Sequence, residues 1–149
     1  MHIGIIGLGK MGANMRERLR EHDIEVTGFD TNPDLSDVAS LHDLVEALPA
    51  PRLVWVMVPS GHITDGVVAD LSEFLDEGDL VINGGNSRYT DDLRYGQRLD
   101  VHGIRFVDAG VSGGVWGDRY GDRTSRGRYR WSRTRRFSVA SASCRTSLV

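Results

Sequence analysis

The chain contains one cysteine and one lysine. Cys144 has no second cysteine to pair with, so a disulfide framework within the chain is excluded. No apolar run approaches the roughly 18–20 residues that a membrane-spanning helix needs. The N-terminus lacks the basic start and apolar stretch of a secretory signal. A cytoplasmic protein without a membrane partner is therefore expected. His2, His22, His42, His62 and His102 are scattered with no ligand spacing, which argues against a metal site. Proline is confined to Pro33, Pro49, Pro51 and Pro59, each of which falls between apolar stretches.

Charge is unevenly distributed. Met1 to Gly117 carries nine basic and nineteen acidic residues, a net −10. Asp118 to Val149 carries nine arginines and two aspartates, a net +7. Arginine in place of lysine over an acidic body points by composition to a GC-rich gene. At 149 residues and 40% apolar content, the chain is long enough for one domain with a real core.

What is present begins at residues 1–12. His2 to Ile6 is an apolar run that suits a buried strand. Gly7, Gly9 and Gly12 follow in G-x-G-x-x-G spacing, with Met11, Met15 and Leu19 on one helical face. Gly7 permits a tight turn, Gly9 lets a pyrophosphate approach the backbone, and Gly12 lets helix pack on strand. The helix N-terminus offers N–H groups and a positive dipole end to phosphate. Asp30 lies 18 residues past Gly12, at the end of the apolar run Val26 to Phe29. A carboxylate there accepts from adenosine ribose hydroxyls and repels a 2′-phosphate, and Thr31 and Asn32 supply no cation. NAD is therefore expected in preference to NADP. Asp30 can also serve as an ordinary turn residue.

Further along, the pattern predicts a first helix over Met11–Glu21, whose charged face (Arg16, Glu17, Arg18, Arg20, Glu21) reads as solvated. A second strand is expected over Glu25–Phe29 and a second helix over Ser40–Leu48, capped by Ser40 with Asp43. The run Leu53–Val58 reads as a strand covered on both faces. A helix over Ile63–Leu75 has the stripe Ile63, Val67, Val68, Leu71, Phe74 and Leu75. A strand at Leu80–Asn83, a helix at Tyr89–Val101 interrupted by Gly96, and a strand at Arg105–Ala109 complete the alternation. The expected fold class is α/β: a Rossmann-like, doubly wound, mostly parallel sheet. Ligands bind such sheets beyond the carboxyl ends of the strands. Trp55 is expected in the core.

Three loops carry a resemblance. Gly7-Leu8-Gly9-Lys10-Met11-Gly12, Gly84-Gly85-Asn86-Ser87 and Val111-Ser112-Gly113-Gly114-Val115-Trp116-Gly117 together resemble 6-phosphogluconate dehydrogenase, in its NAD-type branch. The resemblance implies that Gly7, Leu8, Gly9, Lys10, Met11 and Gly12 hold the cofactor phosphates. It implies that Asp30, Thr31 and Asn32 read the ribose, and that Val58, Pro59 and Ser60 line the cofactor. Asn86 would be shared between cofactor and substrate, and Ser112, Gly113 and Gly114 would hold the sugar acid. Trp116 would border that loop. The plainer reading makes Gly84, Gly85, Gly113 and Gly114 simple turn residues.

The family reaction is oxidative decarboxylation of 6-phosphogluconate to ribulose 5-phosphate, with a lysine base and a glutamate acid on a later helix. Here Lys10 lies in the glycine loop and no glutamate follows Glu77, so no catalytic residue is assigned. The family homodimerises through an all-helical domain that this sequence lacks. Two domains of the chain are expected: 1–117, the NAD(P)-binding domain, and 118–149, a basic tail. The tail has no Ile, Met, Lys or Glu and no periodicity, which points to a frameshift or a disordered segment and an inactive truncated form. Two alternatives stand beside this reading. One is another β-hydroxyacid dehydrogenase of the 3-hydroxyisobutyrate type. The other is a non-enzymatic dinucleotide-binding module whose tail, with Tyr129, Trp131 and Phe137 among arginines, contacts nucleic acid; nucleic acid is the less favoured partner.

Overall fold

A computed structural model describes residues 1–111. The chain alternates strand and helix throughout. The elements are β1 (His2–Ile6), α1 (Lys10–Glu21), β2 (Glu25–Phe29), α2 (Leu41–Glu46), β3 (Leu53–Val56), α3 (His62–Phe74), β4 (Leu80–Asn83), α4 (Tyr89–Asp100) and β5 (Arg105–Asp108). All strand pairs are parallel, and the sheet order is β2-β1-β3-β4-β5. This is the expected Rossmann-like α/β architecture.

Strand alternation sorts the core into two layers. Ile6, Val54, Val56 and Val81 face α2, α3 and α4, where they meet Leu44, Val68, Leu71 and Leu99. Ile3, Ile5, Val26 and Trp55 face the other way, toward Met15 and Leu19 of α1. β3 is apolar at every position because both its faces are covered. Trp55 is buried as expected, at 9% exposure.

Local signals set most boundaries. Ser40 caps α2 by accepting from the Asp43 N–H at 3.1 Å. β3 stops at Val56, two residues before the apolar run ends. The Met57 N–H still bonds the Ile6 carbonyl, but Pro59 has no N–H to offer a ladder. α4 runs through Gly96 without a break, held by buried Tyr95 and Leu99. Ile63 does not join the buried stripe of α3 and stays 41% exposed. No described helix is long and apolar enough to cross a membrane.

At the amino ends of β3 and β4 lies a buried charge. Asp79 is 1% exposed. Its Oδ1 accepts from the Arg52 N–H at 2.6 Å, and its Oδ2 accepts from the Asp76 N–H at 3.0 Å. Arg52 Nη1 also donates to Asp79 Oδ2 at 3.2 Å, while Arg52 Nε reaches the Val45 carbonyl. One carboxylate thus ties β3, the α3–β4 turn and, through Arg52, α2. Removing it leaves the Arg52 and Asp76 N–H groups without their acceptor, while the Arg52 guanidinium keeps Asp76 Oδ2 at 2.8 Å and the Val45 carbonyl. Asp79→Ala is expected to lower unfolding free energy by about 3 kcal/mol in urea denaturation. Dinucleotide affinity should be unchanged in the folded variant, since the pair lies at the opposite end of the sheet from the glycine loop.

Candidate functional site

β1 pairs with β2 on one side and β3 on the other, and α1 and α2 leave on opposite faces. Such a reversal opens a crevice at the carboxyl ends of the strands. The loops after β1, β2, β3 and β4 meet there.

The glycine loop is shaped by close contact. Gly7 has φ +90°, and its N–H donates to the Phe29 carbonyl at 2.8 Å. A Cβ on Gly7 would sit 2.7 Å from the Met57 carbonyl oxygen. A Cβ on Gly12 would overlap the Gly7 carbonyl oxygen. Gly9 differs, because a Cβ there would meet nothing within 4 Å. Gly9 is the N-cap of α1, which has no side-chain cap and no acid in its first turn. The first helical bond runs from the Ala13 N–H to the Gly9 carbonyl, so the N–H groups of Lys10, Met11 and Gly12 lie ahead of it. Leu8, at 1% exposure, anchors the loop in the core. An open helix N-terminus with free donors and no competing acid suits an anion.

Asp30 is bound to that loop. Its Oδ2 accepts from the Leu8 N–H at 2.6 Å, and its Oδ1 accepts from the Asn32 N–H at 2.9 Å. The turn role is therefore real. An ionised carboxylate offers about four lone-pair positions, so acceptor capacity remains. Asp30 and Thr31 border an open cleft of about 440 Å³, whose far wall is Ser36 to Ala39. Thr31 and Asn32 are exposed.

The charged face of α1 is not simply solvated, as the sequence pattern suggested. The Arg16 side chain is only 14% exposed. Its Nη1 donates to the Leu35 carbonyl at 2.8 Å and to Asp37 Oδ1 at 3.3 Å. Arg20 Nη2 donates to Asp37 Oδ2 at 2.8 Å and to the Val26 carbonyl. Asp37 Oδ2 also accepts from the Gly28 N–H at 2.8 Å. The two arginines and Asp37 pin the loop after β2 against α1. Arg16 and Arg20 are one helical turn apart, but nothing local in the sequence names Asp37 as their partner.

After β3, Val58 is half-buried and Pro59 and Ser60 are exposed. Buried Thr64 donates to the Pro59 carbonyl at 2.9 Å and fixes this loop on α3. The β4 loop packs directly on it. A Cβ on Gly85 would lie 2.9 Å from the Val58 carbonyl oxygen. A Cβ on Gly84 would overlap Trp55 Nε1 and lie 2.6 Å from Met57 Sδ. Neither glycine has positive φ. They are glycine for lack of room, which replaces the plain turn reading for this pair. Asn86 is exposed beside them.

Beneath this loop lies a network that the sequence did not reveal. Asn83 is fully buried; its Nδ2 donates to Asp92 Oδ1 at 2.8 Å and to Ser87 Oγ at 2.9 Å. Its Oδ1 accepts from the Gly85 N–H at 3.1 Å. The faint signal was a polar residue closing an apolar strand, with paired aspartates nine residues on. Burial pushes the Asp92 carboxyl above the ordinary carboxylate range; the Asn83 bond draws it down, and Asp108 and Asp91 push it up.

Gly7 to Gly12, Asp30, Val58 to Ser60 and Gly84 to Asn86 thus lie on loops that touch one another at the carboxyl ends of the strands. Ser112, Gly113, Gly114 and Trp116 lie outside the described residues. Among the described residues, no group of three His, Cys, Asp or Glu side chains is placed to hold a metal.

Gly84→Ala forces its methyl into Trp55 and Met57 and is expected to cost about 1–3 kcal/mol by urea titration. For Asp92, a raised carboxyl pKa means that the fold favours the protonated form. The stability this gives is present at acid pH and is lost as pH rises through the raised pKa. Asp92→Asn keeps an acceptor for Asn83 and does not titrate. Its Tm relative to the unsubstituted chain should climb as pH rises out of the ordinary carboxylate range. A pH-independent difference would contradict this.

The geometry has relatives. A family model for the NAD binding domain of 6-phosphogluconate dehydrogenase matches residues 2–126. YqeC of Bacillus subtilis is 39% identical over 130 residues, covering 81% of this chain and 43% of that protein. The decarboxylating 6-phosphogluconate dehydrogenase of Rattus norvegicus is 38% identical over 133 residues, covering 80% of this chain and 28% of that one. The solved 3-hydroxyisobutyrate dehydrogenase of Mycobacterium tuberculosis superposes with a TM-score of 0.70 at 28% identity, covering 76% of this chain and 41% of that one. The chain spans less than half the length of each of these relatives. It belongs to the family of the 6-phosphogluconate dehydrogenase NAD-binding domain.

Proposed function

We propose that residues 1–117 form the NAD-binding half of a 6-phosphogluconate dehydrogenase site. In this reading Gly7, Leu8, Gly9, Lys10, Met11 and Gly12 cradle the pyrophosphate. Asp30, Thr31 and Asn32 receive the adenosine ribose, and Val58, Pro59 and Ser60 line the remainder of the cofactor. Asn86 reaches both cofactor and substrate, and Ser112, Gly113 and Gly114 hold the sugar acid. The observation that carries the reading is the 2.6 Å bond from the Leu8 N–H to Asp30 beside the open space at Gly9. That bond ties Asp30 to the glycine loop and so supports a reading in which ribose acceptor and phosphate donors move as one unit.

NAD supplies the hydride acceptor when bound. The chain's own residues bind and orient. Asp30 accepts from ribose hydroxyls and opposes a 2′-phosphate, which favours NAD over NADP. The lysine base and glutamate acid implied by the family have no counterpart in these 149 residues. These residues alone are therefore expected to bind cofactor without turning over substrate.

A second reading, a 3-hydroxyisobutyrate-type dehydrogenase, draws on the 0.70 TM-score to that enzyme. The Gly84-Gly85-Asn86-Ser87 loop favours the sugar acid.

Titration calorimetry with each dinucleotide tests the cofactor. NAD is expected to bind more tightly than NADP, and Asp30→Ala should weaken NAD at least tenfold. The reverse order of affinities would defeat the assignment. With NAD bound, chemical-shift changes at the Asn86 amide on adding 6-phosphogluconate, but not 3-hydroxyisobutyrate, would separate the two substrates. Mixing the chain with NAD and 6-phosphogluconate should yield no NADH absorbance.

A further inference from the structure

We propose that Asp37 is a specificity residue: it keeps Arg16 and Arg20 away from the ribose cleft and so withholds the cations that a 2′-phosphate would need. The proposal rests on the NAD reading of Asp30 above and extends it to a residue outside the motif.

The loop after β2 is the wall of the cleft. The Asp30 N–H donates to Ser36 Oγ at 3.2 Å, and Asp37 follows directly. Asp30 and Asp37 border the same cleft. Two guanidinium groups stand behind that wall. Arg16 meets Asp37 Oδ1 at 3.3 Å and Arg20 meets Asp37 Oδ2 at 2.8 Å. Among the described residues their other polar contacts are carbonyls, Leu35 for Arg16 and Val26 for Arg20, and Glu17, 3.4 Å from Arg16 Nε and 3.8 Å from Arg20 Nη1.

The charges decide the consequence. Arg16 and Arg20 together carry +2. Asp37 and Glu17 cancel them, and Asp30 remains as the uncompensated charge facing the ribose. Among the described residues that line the cleft, a 2′-phosphate would meet carboxylates and no cation. Neutralising Asp37 leaves the guanidiniums with one carboxylate between them. The wall of the cleft then becomes more positive by one unit. At about 7 Å and an effective dielectric near 30, one unit charge shifts a phosphate's affinity by roughly tenfold.

Asp37→Asn is the test, because its amide oxygen can still accept from the Gly28 N–H. Calorimetry gives Kd for NAD and NADP in the unsubstituted chain and the variant. The ratio Kd(NADP)/Kd(NAD) should fall about tenfold in Asp37→Asn, and adding Arg16→Gln should reverse that fall. An unchanged ratio in a variant that still binds NAD overturns the proposal and leaves the Asp30 reading intact. If the unsubstituted chain binds neither dinucleotide, the NAD reading fails first. Arg16→Gln alone is the second arm and does not depend on how Asp37→Asn folds. It removes one positive charge from behind the wall, so by the same arithmetic the ratio Kd(NADP)/Kd(NAD) should rise by roughly tenfold, and an unchanged ratio overturns the proposal.

Discussion

The close approach of the glycine loop to its neighbours is the constraint on which the rest of the site depends. Gly12 meets the Gly7 carbonyl where a Cβ would stand, and Gly7 presses on the Met57 carbonyl. These contacts draw α1 onto the end of β1 and bring the β3 loop against it. Once that is set, Leu8 enters the core and its N–H is aimed at Asp30. The β4 loop closes on the same surface, with Gly84 against Trp55 and Gly85 against Val58. A larger residue at any of these places separates loops that must touch. The open space at Gly9, beside so much close packing, is then the informative exception.

The strand–loop–helix order and the parallel sheet were legible because their signals are local. An apolar run followed by glycines and a 3.6-residue stripe needs no knowledge of distant residues. Asp30 was legible for the same reason, since its distance from Gly12 is a count along the chain. Arg16 was misread as a surface charge because its partner lies 21 residues away. Asn83 was passed over because its meaning depends on Asp92, which reaches it only after α4 folds back. Gly84 looked like a turn residue because its crowding comes from the Trp55 ring on the adjacent strand. In each case the missing term was a contact between elements.

Two kinds of polar burial serve different ends of the sheet. At the amino end, Asp79 is held by Arg52 and two backbone N–H groups and contributes to stability alone. At the carboxyl end, the buried Asp92 carboxyl has Asn83 as its one hydrogen-bonded partner among the described residues, and it is pushed upward. The difference is a matter of compensation. A carboxylate with a cation beside it recovers the cost of leaving water, and one with only an amide beside it does not. Asp92 therefore costs stability in its ionised form, yet it fixes which way the Asn83 amide faces. A carboxylate can only accept, so Nδ2 turns to Asp92 and Oδ1 turns to the Gly85 N–H.

That orientation links the two halves of the crevice. Gly85 rests on Val58 and Val58 borders the glycine loop, so the amide of Asn83 helps to hold Asn86 at a fixed height above the sheet. On the other side, Asp37 performs the corresponding task for the loop that carries Asp30. Two of the proposed ligand-binding loops are thus each backed by a carboxylate: Asp37 in the wall of the ribose cleft and Asp92 beneath the β4 loop. Both lie outside the glycine motif, and both act by deciding where a neighbouring donor points. In the proposed reading, the motif supplies the groups that meet the dinucleotide. These supporting residues determine how the groups are presented and what charge surrounds them.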